Sequence, residues 1–130
     1  MEGMDRRGFT LIELLIVMVI IGVLASIAIP KLNVTRERAF RNSMVSDLKN
    51  LANAQEIYHL NNYSYSTSLV ALGHVASQGV TLGINEGDQD GWAATATHAG
   101  VAGQCGIYYG EAAASGGDPA SEAGVVTCTF

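Results

Sequence analysis

The chain has 130 residues, of which 48% are hydrophobic and 15% charged, and its formal net charge is -5 at pH 7, which leaves room for one small domain. All seven Lys and Arg residues lie at or before Lys49, and only acidic charges follow. Because cations supply most non-specific affinity for nucleic acid, this distribution excludes direct nucleic-acid binding by the C-terminal part and favours a basic receptor or a cation as its partner.

The residues from Phe9 to Pro30 form an apolar run, FTLIELLIVMVIIGVLASIAIP, with one carboxylate. As an α-helix rising about 1.5 Å per residue, this run would span the ~30 Å hydrocarbon layer of a bilayer. Arg6 and Arg7 favour retention of the preceding end in the cytoplasm. Four more cations lie between residues 31 and 41, so the count of cations alone leaves the orientation open.

Two ordinary export signals are alternatives for this segment. A secretory signal peptide would be cleaved near residues 26–28, and a twin-arginine signal would use Arg6, Arg7 and Phe9. Glu13 argues against a cleaved signal. A carboxylate weakens membrane insertion by about 2.5–3.5 kcal/mol at a helix centre and by less near an end, and export gains nothing from it.

A third interpretation rests on the run RRGFTLIELLIVMVIIGVLASIAIP, which closely resembles the class III signal of type IV prepilins and pseudopilins. The shared features are a short basic leader ending in Gly8, an aromatic Phe9, Thr10, the carboxylate of Glu13 and an apolar run to Pro30. The resemblance implies that residues 1–8 are a leader and that a prepilin peptidase cuts between Gly8 and Phe9 and methylates the new amine. Residues 9–30 then stay in the mature protein, first in membrane lipid and later in the core of a filament.

Glu13 is an ionisable group among apolar residues, which persists only where a partner or a function compensates for its burial. Cleavage would create a cation at Phe9, and in a bundle of staggered helices the Glu13 of one subunit would meet the Phe9 amine of its neighbour. Buried ion pairs contribute little net stability but fix register. The alternative is that Glu13 interacts only with the N-terminus of its own helix.

Two more residues of the segment are assigned to assembly. Gly22 lies four residues before Ser26 and forms a small-residue strip on which another helix can pack, in a filament core or in a membrane dimer. Pro30 has no amide hydrogen, so the bond to the Ser26 carbonyl is missing and the helix should kink or loosen there.

Beyond Pro30 the pattern becomes amphipathic, which predicts that the helix continues over residues 31–60. Polar residues such as Lys49 and Gln55 lie largely off the apolar stripe, and we assign the stripe to packing against a sheet. Its members recur every three or four residues: Phe40, Met44, Leu48, Leu51, Ala54 and Tyr58.

Residues 61–130 are predicted to form a loop and a β-sheet head. The helix should stop at Asn61 and Asn62, and NNYSYSTSLVALG resembles the loop after the long helix of many pilins and pseudopilins. A short helix over residues 67–72 is predicted, with Ser66 as its cap and Gly73 at its end. Tyr63 and Tyr65 are expected to pack at the head surface.

Four strands should follow, and the first two should form a hairpin. A flexible stretch, EAAASGGDPASEA, joins the last two. The predicted fold class is α+β, with a long N-terminal helix packed on a four-stranded antiparallel sheet. The strands are placed at Val80–Ile84, at Trp92–His98, from Cys105 and from Gly124.

The two cysteines, Cys105 and Cys128, lie in predicted strands. An exported location would let them pair, and a disulfide closing a loop of that length stabilises by roughly 3 kcal/mol in the chain-entropy model. The alternative is two buried free thiols. A bond between them would resemble the C-terminal disulfide loop of type IVa pilins, which is normally surface-exposed.

The acidic turn after the first strand is a weak candidate for calcium. Asn85, Asp88 and Asp90 offer oxygen ligands at a spacing that faintly echoes a calcium loop, but the terminal bidentate glutamate is missing. We assign no other metal, no cofactor and no catalytic residue, because the three histidines lack ligand spacing and no nucleophile motif is present.

The resemblance implies a structural subunit of a type IV pilus, resident in the bacterial inner membrane and then part of an extracellular helical homopolymer built at an inner-membrane assembly platform. Two alternatives remain: the major pseudopilin of a type II secretion system, and a minor pilin that binds a target at the filament tip.

Overall fold

A computed structural model describes residue 3 and residues 7–130 of the chain. The predicted leader, residues 1–8, is therefore covered only in part, and Arg6 lies outside the described residues. The chain divides into two compact units, an N-terminal unit of Met1–Arg36 and a head unit of Glu37–Phe130. The elements are helix α1 at Leu11–Asn62, strands β1 at Val80–Gly87, β2 at Gly91–His98, β3 at Val101–Gly110 and β4 at Thr127–Cys128, and a 3-10 turn at Ala114–Gly117.

In the N-terminal unit, helix α1 exposes apolar side chains all around its axis. Every large apolar side chain from Phe9 to Val34 is at least 46% exposed in the single chain. By length and composition the helix suits a membrane crossing, as the apolar run predicts. The helix continues through Pro30 without ending there, and the kink expected at this residue stays a prediction.

The head unit confirms the predicted four-stranded antiparallel sheet with a helix packed on it. The strands follow the order β1-β2-β3-β4, and each pairs antiparallel with the next. On α1, Met44, Leu48 and Leu51 are fully buried and belong to one cluster with Trp92 and Ile107 of the sheet. Positions three and four residues apart share one helix face, so this cluster forms along the predicted stripe.

Gln55 corrects the predicted boundary of that stripe. The pattern placed this residue off the apolar face, yet its side chain is fully buried. The side-chain nitrogen donates to the Ser66 carbonyl oxygen at 2.7 Å, and the side-chain oxygen accepts from the Ser66 amide at 2.9 Å. A buried amide with both ends paired avoids the cost of an unsatisfied polar group.

The short helix predicted at residues 67–72 is wrong, because this stretch forms turns instead. Ser66, the predicted cap, is held through its backbone by Gln55, and a six-residue helix gains few internal hydrogen bonds to offset the cost of its first turn. Gly73 still ends the turns, with a φ of 63° in the left-handed region that favours glycine.

Only one of the two tyrosines expected at the head surface lies there. Tyr63 is 79% exposed, whereas Tyr65 is buried. The ring of Tyr65 stacks on His59, with 4.3 Å between the ring centroids, and its hydroxyl donates to Glu56 at 3.2 Å. Tyr65 therefore joins the loop to the last turns of α1.

The four predicted strands are present, and their lengths differ from the prediction. β1 continues past Ile84 to Gly87 through an irregular register, and β3 begins four residues before Cys105. β4 has only two residues, and these pair with β3 at Cys105 and Gly106.

The segment between β3 and β4 is exposed over most of its length, as expected, but it packs on the sheet at two residues. Gly117 and Ala120 are buried, and a Cβ added at Gly106 would collide with the backbone of Gly117. The segment therefore lies across the outer face of the sheet, where two glycines allow a close approach of two backbones.

Candidate functional site

The predicted processing site lies immediately before helix α1. Gly8 and Phe9 are exposed and outside the helix, which begins at Leu11. Phe9 is 85% exposed, and a Cβ added at Gly8 would meet nothing within 4 Å. An accessible, non-helical peptide is the kind of segment that a peptidase can enter.

Thr10 and Glu13 close the first turn of α1 with two reciprocal hydrogen bonds. Oε2 of Glu13 accepts from the Thr10 amide at 2.8 Å, and Oγ1 of Thr10 accepts from the Glu13 amide at 3.3 Å. This arrangement is a capping box, which satisfies two amides at the helix start. The local interaction that the sequence left open for Glu13 is therefore present in the single chain.

The capping box uses only one carboxylate oxygen of Glu13. No hydrogen bond to Oε1 comes from residue 3 or residues 7–130. A carboxylate oxygen has room for further donors, so the local bond and an ion pair with a neighbouring subunit are compatible. The intersubunit role of Phe9 and Glu13 stays a prediction.

The small-residue strip of α1 is open to an external partner. A Cβ added at Gly22 would meet nothing within 4 Å. The hydroxyl of Ser26 donates to the Val23 carbonyl at 2.7 Å, which satisfies this polar group within its own helix. The strip therefore has no bulky side chain at Gly22 and no unpaired hydroxyl at Ser26, so another helix could approach it closely. The assembly roles of Gly22 and Pro30 stay predictions.

Cys105 and Cys128 form a disulfide bond, as the sequence predicts. The two residues are directly opposite each other in β3 and β4, with their Cα atoms 4.0 Å apart. The bond fastens a two-residue strand to the sheet and encloses the segment that covers the outer face.

Two of the three side chains suggested for calcium, those of Asp88 and Asn85, make other hydrogen bonds. Oδ1 of Asp88 accepts from the amides of Asp90 and Gly91 at 2.8 and 2.9 Å. The side-chain amide of Asn85 donates to the Gly116 carbonyl. In the described part of the chain, no three His, Cys, Asp or Glu side chains cluster as a metal site requires. The calcium site stays a prediction, and a calcium-dependent rise in melting temperature would test it.

Two of the three histidines join helix α1 to the sheet at separate places. The His98 ring stacks on Phe40, with 4.1 Å between the ring centroids, and its Nδ1 accepts from the Gly100 amide at 2.9 Å. A ring nitrogen of His59 lies 3.2 Å from the Gln89 carbonyl oxygen. The structure gives both residues a packing role.

Sequence reasoning missed a buried carboxylate that holds the segment before β1. Asp47 is 4% exposed, and its two oxygens accept from the amide and the hydroxyl of Ser77, both at 2.8 Å. An isolated aspartate in an amphipathic helix gives no signal of burial, because its partner lies 30 residues away in the chain.

Tyr65 is the residue of the head with a clearly altered acidity. Burial raises the pKa of Tyr65 to about 12, and the nearby Glu56 carboxylate acts in the same direction. Both effects disfavour the phenolate. The neutral hydroxyl is therefore maintained as the donor to Glu56.

Comparison with known proteins bears on the N-terminal features first. The family described as the prokaryotic N-terminal methylation motif matches residues 3–29. This range includes Gly8, Phe9 and Glu13, the residues on which the predicted processing and assembly depend.

Curated relatives carry pilus and secretion names. Type II secretion system core protein G of Escherichia coli (strain K12) is 48% identical over 69 residues, which are 52% of this chain and 48% of that protein. Type II secretion system core protein G of Vibrio cholerae is 43% identical over 63 residues, 48% of this chain and 43% of that protein. The type IV wide pilus major component PilA4 of Thermus thermophilus is 43% identical over 68 residues, 52% of each chain.

The chain spans about half the length of the curated relatives it matches. The matched motif covers the capping box and the first part of the apolar helix. About half of the chain is therefore similar to type II secretion system core proteins and to a type IV pilus component, and the chain carries the prokaryotic N-terminal methylation motif.

Proposed function

We propose that this chain is the pilin of a type IV pilus, a structural subunit and not an enzyme. A prepilin peptidase cuts between Gly8 and Phe9 on the cytoplasmic side of the bacterial inner membrane and methylates the new amine. An inner-membrane assembly platform then moves the subunit from lipid into an extracellular helical filament of identical copies. The chain needs no cofactor for this role.

The observation that carries this proposal is the exposed apolar segment from Phe9 to Val34, helical from Leu11, with a single carboxylate near its start. Burial of apolar surface contributes about 25 cal/mol per Å², so a helix that is apolar on all faces requires lipid or other helices around it. A filament core of staggered copies supplies those helices after the subunit leaves the bilayer.

Within the filament we assign three roles to residues of this helix. Glu13 offers Oε1 to the methylated amine of a neighbouring Phe9 and thereby fixes the axial register. Gly22 allows close approach of a neighbouring helix. Pro30 lacks one backbone hydrogen bond, which lets the helix adjust its path during assembly.

Processing is tested by co-expressing the chain with a prepilin peptidase and measuring the mass of the product. We expect loss of residues 1–8 and addition of one methyl group at Phe9. The variant Gly8→Val should stay uncut because a β-branched side chain occupies the cleavage position, while Gly3→Val, a change at a glycine inside the leader, should be processed normally. Normal cleavage of Gly8→Val would contradict the proposed site.

A second candidate is the major pseudopilin of a type II secretion system, because two of the relatives reported above are named type II secretion system core protein G. The bond between Cys105 and Cys128 supports the pilin through its resemblance to the disulfide loop of type IVa pilins. Deletion of the gene separates the two: loss of surface filaments supports the pilin, and loss of protein secretion with filaments intact supports the pseudopilin.

A minor pilin at the filament tip is the remaining alternative. Its abundance distinguishes it from a major subunit, because a major subunit dominates the protein in sheared filaments. We expect this chain to be the main component.

A further inference from the structure

The three basic residues of the head unit lie on helix α1, and two of them, Arg38 and Lys49, form no ion pair with the acidic residues of the same head. Arg38 and Lys49 are exposed, and the ion pair within the fully described head unit joins Arg41 to Glu37 at 3.7 Å, both on α1. With 3.6 residues per turn, Arg38 and Lys49 lie on the same helix face, roughly 16 Å apart. They form a surface that we call the basic helix face.

The acidic residues Asp88, Asp90 and Glu111 lie together elsewhere in the head. The Glu111 amide donates to the Asp90 carbonyl at 3.0 Å, and Gly91 pairs with Gly110 across β2 and β3, so the turn before β2 lies beside the end of β3. All three acidic side chains are exposed and form no ion pair within the head unit. We call this surface the acidic turn.

Two contacts place these surfaces at different positions along the head. Phe40 stacks on His98 at the end of β2, and His59 lies against Gln89 just before β2 begins. The 19 residues of helix between Phe40 and His59 span roughly 28 Å. Arg38 therefore lies at the end of the head marked by Phe40, Lys49 lies about midway, and the acidic turn lies at the end marked by His59.

We propose that neighbouring copies of this chain contact each other head to tail, with the basic helix face of one copy against the acidic turn of the next. This inference rests on the proposed filament function and names the two surfaces that meet. No Lys or Arg follows Lys49. The positive charge that complements the acidic turn is therefore supplied by basic residues in the N-terminal part of another copy.

The separation of charge suits a helical polymer. Such polymers are built from heterologous contacts, in which two different surfaces of one subunit meet. Complementary charge steers the incoming copy and selects one orientation, because an inverted copy would bring like charges together. Exposed ion pairs are individually weak, so the contact depends on several charges acting together and on the helix core for most of its strength.

The test uses the full chain in cells that contain its assembly machinery, with surface filaments of the unaltered chain as the reference. One variant reverses the charge of the basic helix face with Arg38→Glu and Lys49→Glu. A second variant reverses the charge of the acidic turn with Asp90→Lys and Glu111→Lys. It keeps Asp88, whose carboxylate closes the turn. A third variant carries all four changes. A matched control adds two lysines at exposed neutral positions, Gln78→Lys and Thr81→Lys.

Each single-surface reversal should reduce surface filaments on the order of tenfold, because like charges then face each other. The four-change variant should recover most of the loss, since inverted surfaces are again complementary, and the control should assemble normally. Trp92 fluorescence and an intact disulfide establish that each variant is folded. Normal assembly of either single-surface variant, or no recovery in a folded four-change variant, would overturn the inference. Absence of filaments from the unaltered chain would instead contradict the proposed function.

Discussion

Gln55 of helix α1 and Ser66 of the following loop pair through two hydrogen bonds, at 2.7 and 2.9 Å, inside the core of the head. The side-chain amide of Gln55 thereby forms hydrogen bonds with both the backbone amide and the backbone carbonyl of Ser66. Ser66 lies in a loop, so no helix or strand supplies these hydrogen bonds. The loop does not form the predicted short helix, and this amide takes over the role that a helix cap would have had.

We predict that Gln55→Ala lowers the free energy of unfolding by about 2–4 kcal/mol, because it leaves the buried amide and carbonyl of Ser66 unpaired and creates a cavity. Urea unfolding in detergent, followed by the fluorescence of the single, buried Trp92, measures this change. Asn50→Ala, at an exposed position of the same helix, is the matched control and should cost less than 1 kcal/mol. Equal stability of the two variants would show that the pair is dispensable.

The disulfide should contribute mainly by restricting the unfolded chain. Replacement of Cys105 and Cys128 by serine is expected to lower the free energy of unfolding by roughly 3 kcal/mol, given the sequence separation of 23 residues. A reducing agent should destabilise the unaltered chain and have no effect on the double variant. If the double variant unfolds at the same urea concentration as the oxidised chain, β4 is held by other contacts.

Tyr65 should make the head unstable at high pH. Its pKa is raised to about 12 in the folded chain, from an ordinary value of 10.0, so the unfolded state loses its proton first as the pH rises. The stability that depends on the neutral hydroxyl is complete below pH 10 and is lost between pH 10 and about 12, on the order of 2–3 kcal/mol. Ultraviolet absorbance of the phenolate, with Tyr65→Phe as reference, measures the titration. A difference spectrum that titrates near pH 10 would contradict this prediction.

Two variants of Glu13 separate its local role from its proposed role between subunits. Glu13→Gln keeps an oxygen that can accept from the Thr10 amide but has no charge, whereas Glu13→Ala loses both. We expect both variants to be inserted and processed, and both to form at least tenfold fewer surface filaments, because the amine of a neighbouring Phe9 needs a carboxylate. Assembly of Glu13→Gln at the normal level, with Glu13→Ala defective, would assign Glu13 to helix capping alone.

Several features of the fold follow from local patterns. The buried face at Met44, Leu48 and Leu51 follows from helical periodicity, and β1 and β2 follow from alternating residues bounded by glycine. The capping box also has a local signature, a threonine three residues before a glutamate, although the sequence alone left the partner of Glu13 open.

Other features depend on residues that are distant in the chain. Gln55 and Asp47 are polar residues in a helix, and only their partners Ser66 and Ser77 make their burial favourable. The course of the segment after β3 is determined by the meeting of Gly106 and Gly117, which no periodicity encodes. Assembly residues are harder still to read from one chain, because their partners belong to another copy.

The most direct test of this account is the mass and N-terminal sequence of the chain in filaments sheared from the cell surface. We predict that the filament subunit begins at N-methylated Phe9, retains residues 9–30 and is the main protein present. A chain that begins downstream of Ile29, or that is found only as a soluble monomer outside the cell, would contradict the claim that the apolar helix is kept to build a filament.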